Sequence, residues 1–252
     1  MTSATETTTP PRTPLLDRPT AMKLAAREYE RFAALLLWLE PADWGKPTDC
    51  PDWDVQAIAA HTLGMAKMAA SIREGRRQMK AAGQLGGSFI DALTALQVQE
   101  RRSLTPVELI AGMERIGPKA ARARRRTPGL IRRRPMPMLQ EVDGVAEPWT
   151  VGFLVDIVLT RDPWMHRVDI ARATGKDIHL SADHDGVLVA DVVAEWAGRH
   201  GQPYTLRLSG PAGGHWSAGA GGPTLDLDAV EFCRILSGRA PGNGLLGVQV
   251  PF

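Results

Sequence analysis

Cysteine is scarce: among 252 residues only Cys50 and Cys233 occur, too few for a disulfide framework or a four-thiolate metal site. No apolar run approaches the roughly twenty residues of a spanning helix, so no membrane span is encoded. The opening stretch, Met1 to Pro19, is rich in Thr and Pro and lacks the apolar core of a secretory signal. It is expected to be a disordered lead-in to a soluble, cytoplasmic protein. Charge of one sign is not in excess either, since the formal net charge is +2. A Walker-type loop and a Gly-x-Ser-x-Gly elbow are both missing, which removes two common NTPase and hydrolase readings. With 44% hydrophobic and 23% charged residues, what is present is an ordinary globular chain, long enough for one large domain or two small ones.

The charges are unevenly placed. Arg115, Lys119, Arg122, Arg124, Arg125, Arg126, Arg132, Arg133 and Arg134 follow one another with no acidic residue between them. Such a run can hold a phosphate backbone or an anionic substrate, but blocks of like charge are usually solvated. No stacking aromatic is interleaved. A solvated helix end is the preferred reading, and a nucleic-acid partner is not expected.

Helical spacing dominates the first two-thirds. Ala21 to Glu40 carries Leu24, Phe32, Leu35, Leu36 and Leu39 on one face. A second helix is predicted from Asp52 or Asp54, either of which can cap it, to about Lys80. A third is predicted over Ser88 to Arg102. Thr105-Pro106-Val107-Glu108 announces a fourth, with a capping hydroxyl, a proline at the first position and a reciprocal Glu. A fifth helical stretch spans Thr150 to Thr174 and stops at Gly175. After that the texture changes. Strands are predicted at Ile178–Leu180, Tyr204–Leu208, Thr224–Leu227 and Leu245–Phe252, with helices at Val187–His200 and Ala229–Leu236. The glycines of 210–222 read as hairpin loops. The order predicts a lead-in over 1–19, an all-α domain over 20–176 and a small α+β domain over 177–252.

One constellation can carry chemistry. Ile58, His61, Met65, Met68 and Ile72 step by three and four, so His61 lies in the apolar stripe of the second helix and points inward. In the fifth stretch Leu154, Val158, Asp162 and His166 step by four, with Asp169 three residues on. If the helices face one another, His61, Asp162 and His166 form two imidazoles and a carboxylate, the ligand set of a catalytic metal site with an open position. Zinc suits these ligands best, with nickel or iron(II) as alternatives, and Asp169 is placed to orient His166. The plainer reading is a hydrogen-bonded core histidine, with Asp162 serving as N-cap of a helix whose first residue is Pro163. His179, His184, His200 and His215 lack ligand spacing and are read as surface or loop residues. Cys50 has no basic neighbour in sequence to activate it and is read as structural.

The segment Trp44-Gly45-Lys46-Pro47-Thr48-Asp49-Cys50-Pro51-Asp52-Trp53 leading to Ala59-Ala60-His61 resembles the opening of the mycothiol-dependent maleylpyruvate isomerase family. Thr160-Arg161-Asp162-Pro163-Trp164-Met165-His166 is similar to that family's second metal-bearing segment, and Asp228 to Phe252 resembles its C-terminal region. The resemblance implies a DinB-like four-helix bundle followed by a small sterol-carrier-like α+β domain. It further implies a divalent metal, usually zinc, on His61, Asp162 and His166, with Asp162 standing where the characterised isomerase has glutamate. Mycothiol as cofactor, a small electrophilic substrate, and isomerase or S-transferase chemistry follow from the same likeness. For a dicarboxylate substrate a guanidinium is wanted, and Arg234, Arg239 and Arg167 are the candidates. Two other functions compete: a non-catalytic carrier of an apolar ligand, and a nucleic-acid-associated regulator using the basic run.

Overall fold

The computed structural model describes residues 10–86 and 89–252. Helix α1 (Arg18–Leu37) is capped by Asp17, whose carboxylate accepts from the Thr20 amide at 3.0 Å. Helix α2 (Val55–Ala70) opens on Asp54, which accepts from the Ala57 amide at 2.7 Å. Ser71 then leaves helical geometry (φ −147°, ψ 120°) and caps α3 (Ile72–Ala82). The single helix predicted to Lys80 is therefore two, and Ile72, placed in the buried stripe by its spacing, is 82% exposed. Helix α4 (Phe89–Gln99) accounts for most of the third predicted helix, although Ser88 lies outside the described residues. The capping box at Thr105 is present, and α5 (Pro106–Arg126) follows it.

A short helix α6 (Gly129–Arg132) and a hairpin, β1 (Gln140–Val142) paired with β2 (Val145–Glu147), lead into the fifth helical stretch. That stretch is not one uniform helix. It begins with α7 (Val151–Phe153), passes through a π-turn over Leu154–Val158 and continues as α8 (Leu159–Thr174), ended by Gly175 at φ 71°. Helix α5 packs on α1 and α2, and α8 packs on the same two helices, giving a four-helix core. The α3–α4 pair lies outside, against α2.

Two groups in this region correct the sequence reading. Residues 10–17 are not free: the Arg12 amide donates to the Pro148 carbonyl at 2.8 Å, and its guanidinium pairs with Glu147. Within the basic run, Arg124 is 1% exposed and Arg132 is paired with buried Asp156. Both hold the fifth helical stretch in place and neither is solvated.

The second part is a three-stranded mixed sheet in the order β4-β3-β5, with α9 (Val187–His200) and α10 (Ala229–Leu236). Strand β3 (Tyr204–Ser209) runs antiparallel to β4 (Gly214–Ala218) and parallel to β5 (Thr224–Asp228), placing Leu206 opposite both Trp216 and Leu225. Strand β4 lies in the stretch read only as loops. Gly213 makes the tight turn before it, where a Cβ would meet the Leu208 carbonyl oxygen at 2.1 Å. The strands predicted at Ile178–Leu180 and Leu245–Phe252 are not formed; the latter carries a 3-10 turn at Gly244–Gly247 and otherwise irregular chain. The apolar core of this part runs into the bundle: Leu24, Trp164, Met165 and Val168 pack with Val192, Trp196, Leu206 and Phe232.

Candidate metal centre

The loop before α2 is pinned so that the helix presents His61 inward. The Thr48 hydroxyl donates to the Trp53 carbonyl at 2.8 Å, and Arg172 and Arg234 both donate to Asp49. Two turns into α2, His61 lies buried against α8. On α8, Asp162 and His166 are one turn apart and face it. His61 Nε2 is 3.3 Å and His166 Nε2 is 3.7 Å from the same oxygen, Asp162 Oδ1. One ligand atom from each of the three residues lies within 4.8 Å of the others. Asp162 is not an N-cap: α8 starts at Leu159, so the residue sits inside the first turn with its carboxylate free to face the histidines. The helix break suggested by Pro163 lies upstream, at the π-turn, a feature frequent at functional sites.

His166 is oriented from behind. Its Nδ1 lies 2.9 Å from Asp169 Oδ2, and Asp169 is gripped by Arg239 through Nε at 2.7 Å and Nη2 at 2.8 Å. Burial pushes the Asp169 carboxyl up, but the bond and charge of His166 and those of Arg239 outweigh it and hold the group at about 2. An ionised carboxylate can only accept, so His166 Nδ1 carries a proton toward Asp169 and the ring turns its Nε2 toward Asp162. For Asp162 burial also acts upward. The charges of His61 and His166 and the His61 bond outweigh it and lower the pKa.

These residues fit a cation. His61 Nε2 and His166 Nε2 both face Asp162 Oδ1, and Asp162 Oδ2 is a buried oxygen with no partner among the described residues. A cation among them would give that oxygen a partner and take donors from all three side chains. Trp53 walls one side, its ring centroid 4.9 Å from that of His61 and 5.8 Å from that of His166.

A second cluster, Cys50, His166 and Asp169, also brings donor atoms within 4.8 Å. It suits an ion poorly, because the Arg239 guanidinium already occupies Asp169 and lies 3.7 Å from Cys50 Sγ. Burial, with the Asp169 charge second, pushes the Cys50 thiol up to about 12, leaving it protonated and a poor ligand.

Of the three arginines singled out from sequence, Arg239 reaches the centre. Arg234 is occupied at every nitrogen by Asp49, Glu231 and the Arg239 carbonyl. Arg167 is buried in an ion pair with Glu28 and Asp185 away from the triad. His184, read as a surface residue, is fully buried and paired with Glu28 at 2.8 Å. Sequence spacing gave no sign of Trp53 as a wall or of Arg239 behind Asp169, since both reach the site through chain folding over long separations.

The protein is thus of the mixed class that joins a helical core, here with a His–Asp–His cluster inside it, to a small three-stranded sheet. Residues 25–171 match the family model described as the mycothiol maleylpyruvate isomerase N-terminal domain. The match spans more than half of the chain, and the chain belongs to that family. Two solved structures are similar along nearly the whole length. One, described as the crystal structure of the mycothiol-dependent maleylpyruvate isomerase, is 18% identical with a TM-score of 0.56 over 89% of this chain and 90% of that one. The other, a histidine-to-alanine mutant described by the same name, is 17% identical with the same TM-score and coverage. At that identity the likeness shows the fold. No curated protein matches the chain.

Proposed function

We propose that this chain is a divalent-metal-binding, thiol-dependent enzyme, an isomerase or S-transferase acting on a small electrophile, with His61, Asp162 and His166 as metal ligands. Zinc is the metal the donor set favours, and mycothiol is the thiol suggested by the family. In this reading the helical part is the DinB-like bundle and residues 177–252 the sterol-carrier-like domain. The observation that carries it is the convergence of two imidazole nitrogens on one carboxylate oxygen, at 3.3 and 3.7 Å.

A bound divalent ion would acidify a coordinated thiol, allowing reversible addition to an electron-poor double bond, and hence cis–trans isomerisation, at neutral pH. The protein supplies the rest. Asp169 fixes the tautomer and ring plane of His166, an orienting role usually worth about 10–100-fold in metal affinity. Arg239 holds Asp169 and keeps Nη1 without a protein partner among the described residues, the donor left for a substrate carboxylate. Arg234, bonded at each of its three nitrogens, fastens the 44–53 loop to α10 and so positions the start of α2. Trp53 limits water on one side of the ligands.

The test is metal content after reconstitution, together with mycothiol-dependent turnover of maleylpyruvate. Wild type should carry one ion per chain, and His61→Ala and His166→Ala well under half of that. Equal metal in wild type and both variants would remove the centre from the proposal. Metal without thiol-dependent turnover would leave the site and overturn the substrate.

A further inference from the structure

A cavity of about 320 Å³ lies between α1, Arg167 of α8 and residues 177–179, at the small end of the range for ligand pockets. Its apolar wall is Leu35, Ile178 and Trp38, and Trp38 is 66% exposed at the end of α1. A tryptophan so open forgoes the burial its large ring usually finds.

The floor is polar and rigid. Arg167 is 2% exposed. Its Nε and Nη2 are held by Glu28 at 2.6 and 3.2 Å, and Nη2 also by Asp185 at 3.0 Å, while Nη1 has no partner among the described residues. Arg31 is tied by Nη1 to Asp185 and by Nη2 to Ser181, and its Nε is likewise without one. Two guanidinium groups are thus locked in orientation, each with one nitrogen unbonded among the described residues, an arrangement suited to a carboxylate. Glu28 and Asp185 balance the two arginines, so recognition rests on directed hydrogen bonds more than on net charge. Asp177, exposed at the rim, repels a second negative group.

We propose that this cavity is a ligand site for a small monocarboxylic acid on a flat apolar body, the ring lying against Trp38 and the carboxylate reaching Arg167 and Arg31. It is separate from the His61–Asp162–His166 cluster. Arg167 and His166 are neighbours in sequence, but Arg167 pairs with Glu28 of α1 and His166 faces Asp162 and Asp169.

Calorimetric titration of chelator-treated full-length protein with naphthalene-2-carboxylate tests the site. Saturable one-to-one binding is expected, at least tenfold tighter than for naphthalene-2-methanol, which keeps the ring and lacks the charge. Naphthalene-2,6-dicarboxylate should bind more weakly than the monoacid. Ala34→Trp, which fills the mouth from an exposed helix position, and Trp38→Ala should each weaken binding at least tenfold with unchanged circular dichroism. His61→Ala should bind as wild type does. No saturable binding, equal affinity for the alcohol, or undiminished binding in Ala34→Trp would overturn the site. Loss of binding in His61→Ala would assign the acid to the metal cluster instead.

Discussion

Arg124 shows how one side chain can repair two faults in a neighbouring helix. In the π-turn the Leu159 amide bonds to the Leu154 carbonyl and skips that of Val155. Four residues later Pro163 has no amide to offer the Leu159 carbonyl. Arg124 donates to both orphans, through Nε to Val155 at 2.7 Å and Nη1 to Leu159 at 2.9 Å, and through Nη2 to the Thr160 hydroxyl at 2.5 Å. The break that turns Asp162 toward the histidines is tolerated because this guanidinium fills it. Arg124→Met would leave the buried Leu159 carbonyl and the half-buried Val155 carbonyl without this donor, at about 1–3 kcal/mol for a buried group. A loss of roughly 3 kcal/mol in denaturant-unfolding stability is expected, with weaker metal retention, and Arg124→Lys should recover only part because one ammonium cannot span three acceptors. A Met variant as stable as wild type would refute the role. None of this is legible in sequence, where Arg124 is one member of a basic run and nothing in its spacing separates it from its solvated neighbours.

At the scale of elements, two end signals read from sequence, Thr105 with Glu108 and Gly175, mark ends that the structure has. Ser71 is hidden in sequence because helical periodicity continues through it, although its side chain accepts from the Glu74 amide and starts a new axis. The α3–α4 pair so formed is stitched by Arg77, which bonds Glu74 at 2.7 Å and Glu100 at 2.6 Å. The Arg77 bonds, against some burial, lower the Glu74 carboxyl from 4.5 to about 2. A pKa lowered on folding contributes stability that is fully present above the unfolded value and is lost as pH falls through the folded one. The wild type should therefore lose stability between about pH 5 and 2 more steeply than Glu74→Gln. Because the pair is partly exposed, the difference should stay below about 1 kcal/mol. Urea melts across that range check it, and parallel slopes would show the stitch to be idle.

For the whole molecule, the predicted border near residue 176 marks a change of secondary structure but not a change of core. Trp164, Met165 and Val168 of α8 pack into the same cluster as α9, the sheet and α10. Arginines carry polar contacts across the border in both directions: Arg239 reaches back to Asp169 and Arg234 to Asp49, while Arg161 reaches forward to Asp191 and Glu195, both at 2.6 Å, and to the Pro251 carbonyl, and Arg31 and Arg167 to Asp185. The change of texture was visible in sequence because helix and strand periods differ. The shared core was not, because an apolar residue on α8 does not say which neighbour it meets. A joint core makes unfolding cooperative over both parts. Arg161→Met tests this, since it leaves Asp191 buried without its only partner among the described residues, a fault of about 3–5 kcal/mol. Native-state hydrogen exchange should then speed up by a common factor at the most protected amides of α5, which Arg161 does not touch, and of β3. Acceleration confined to α9 and β3, with α5 unchanged, would mean that the two parts unfold independently and that the metal cluster could be studied without the sheet behind it.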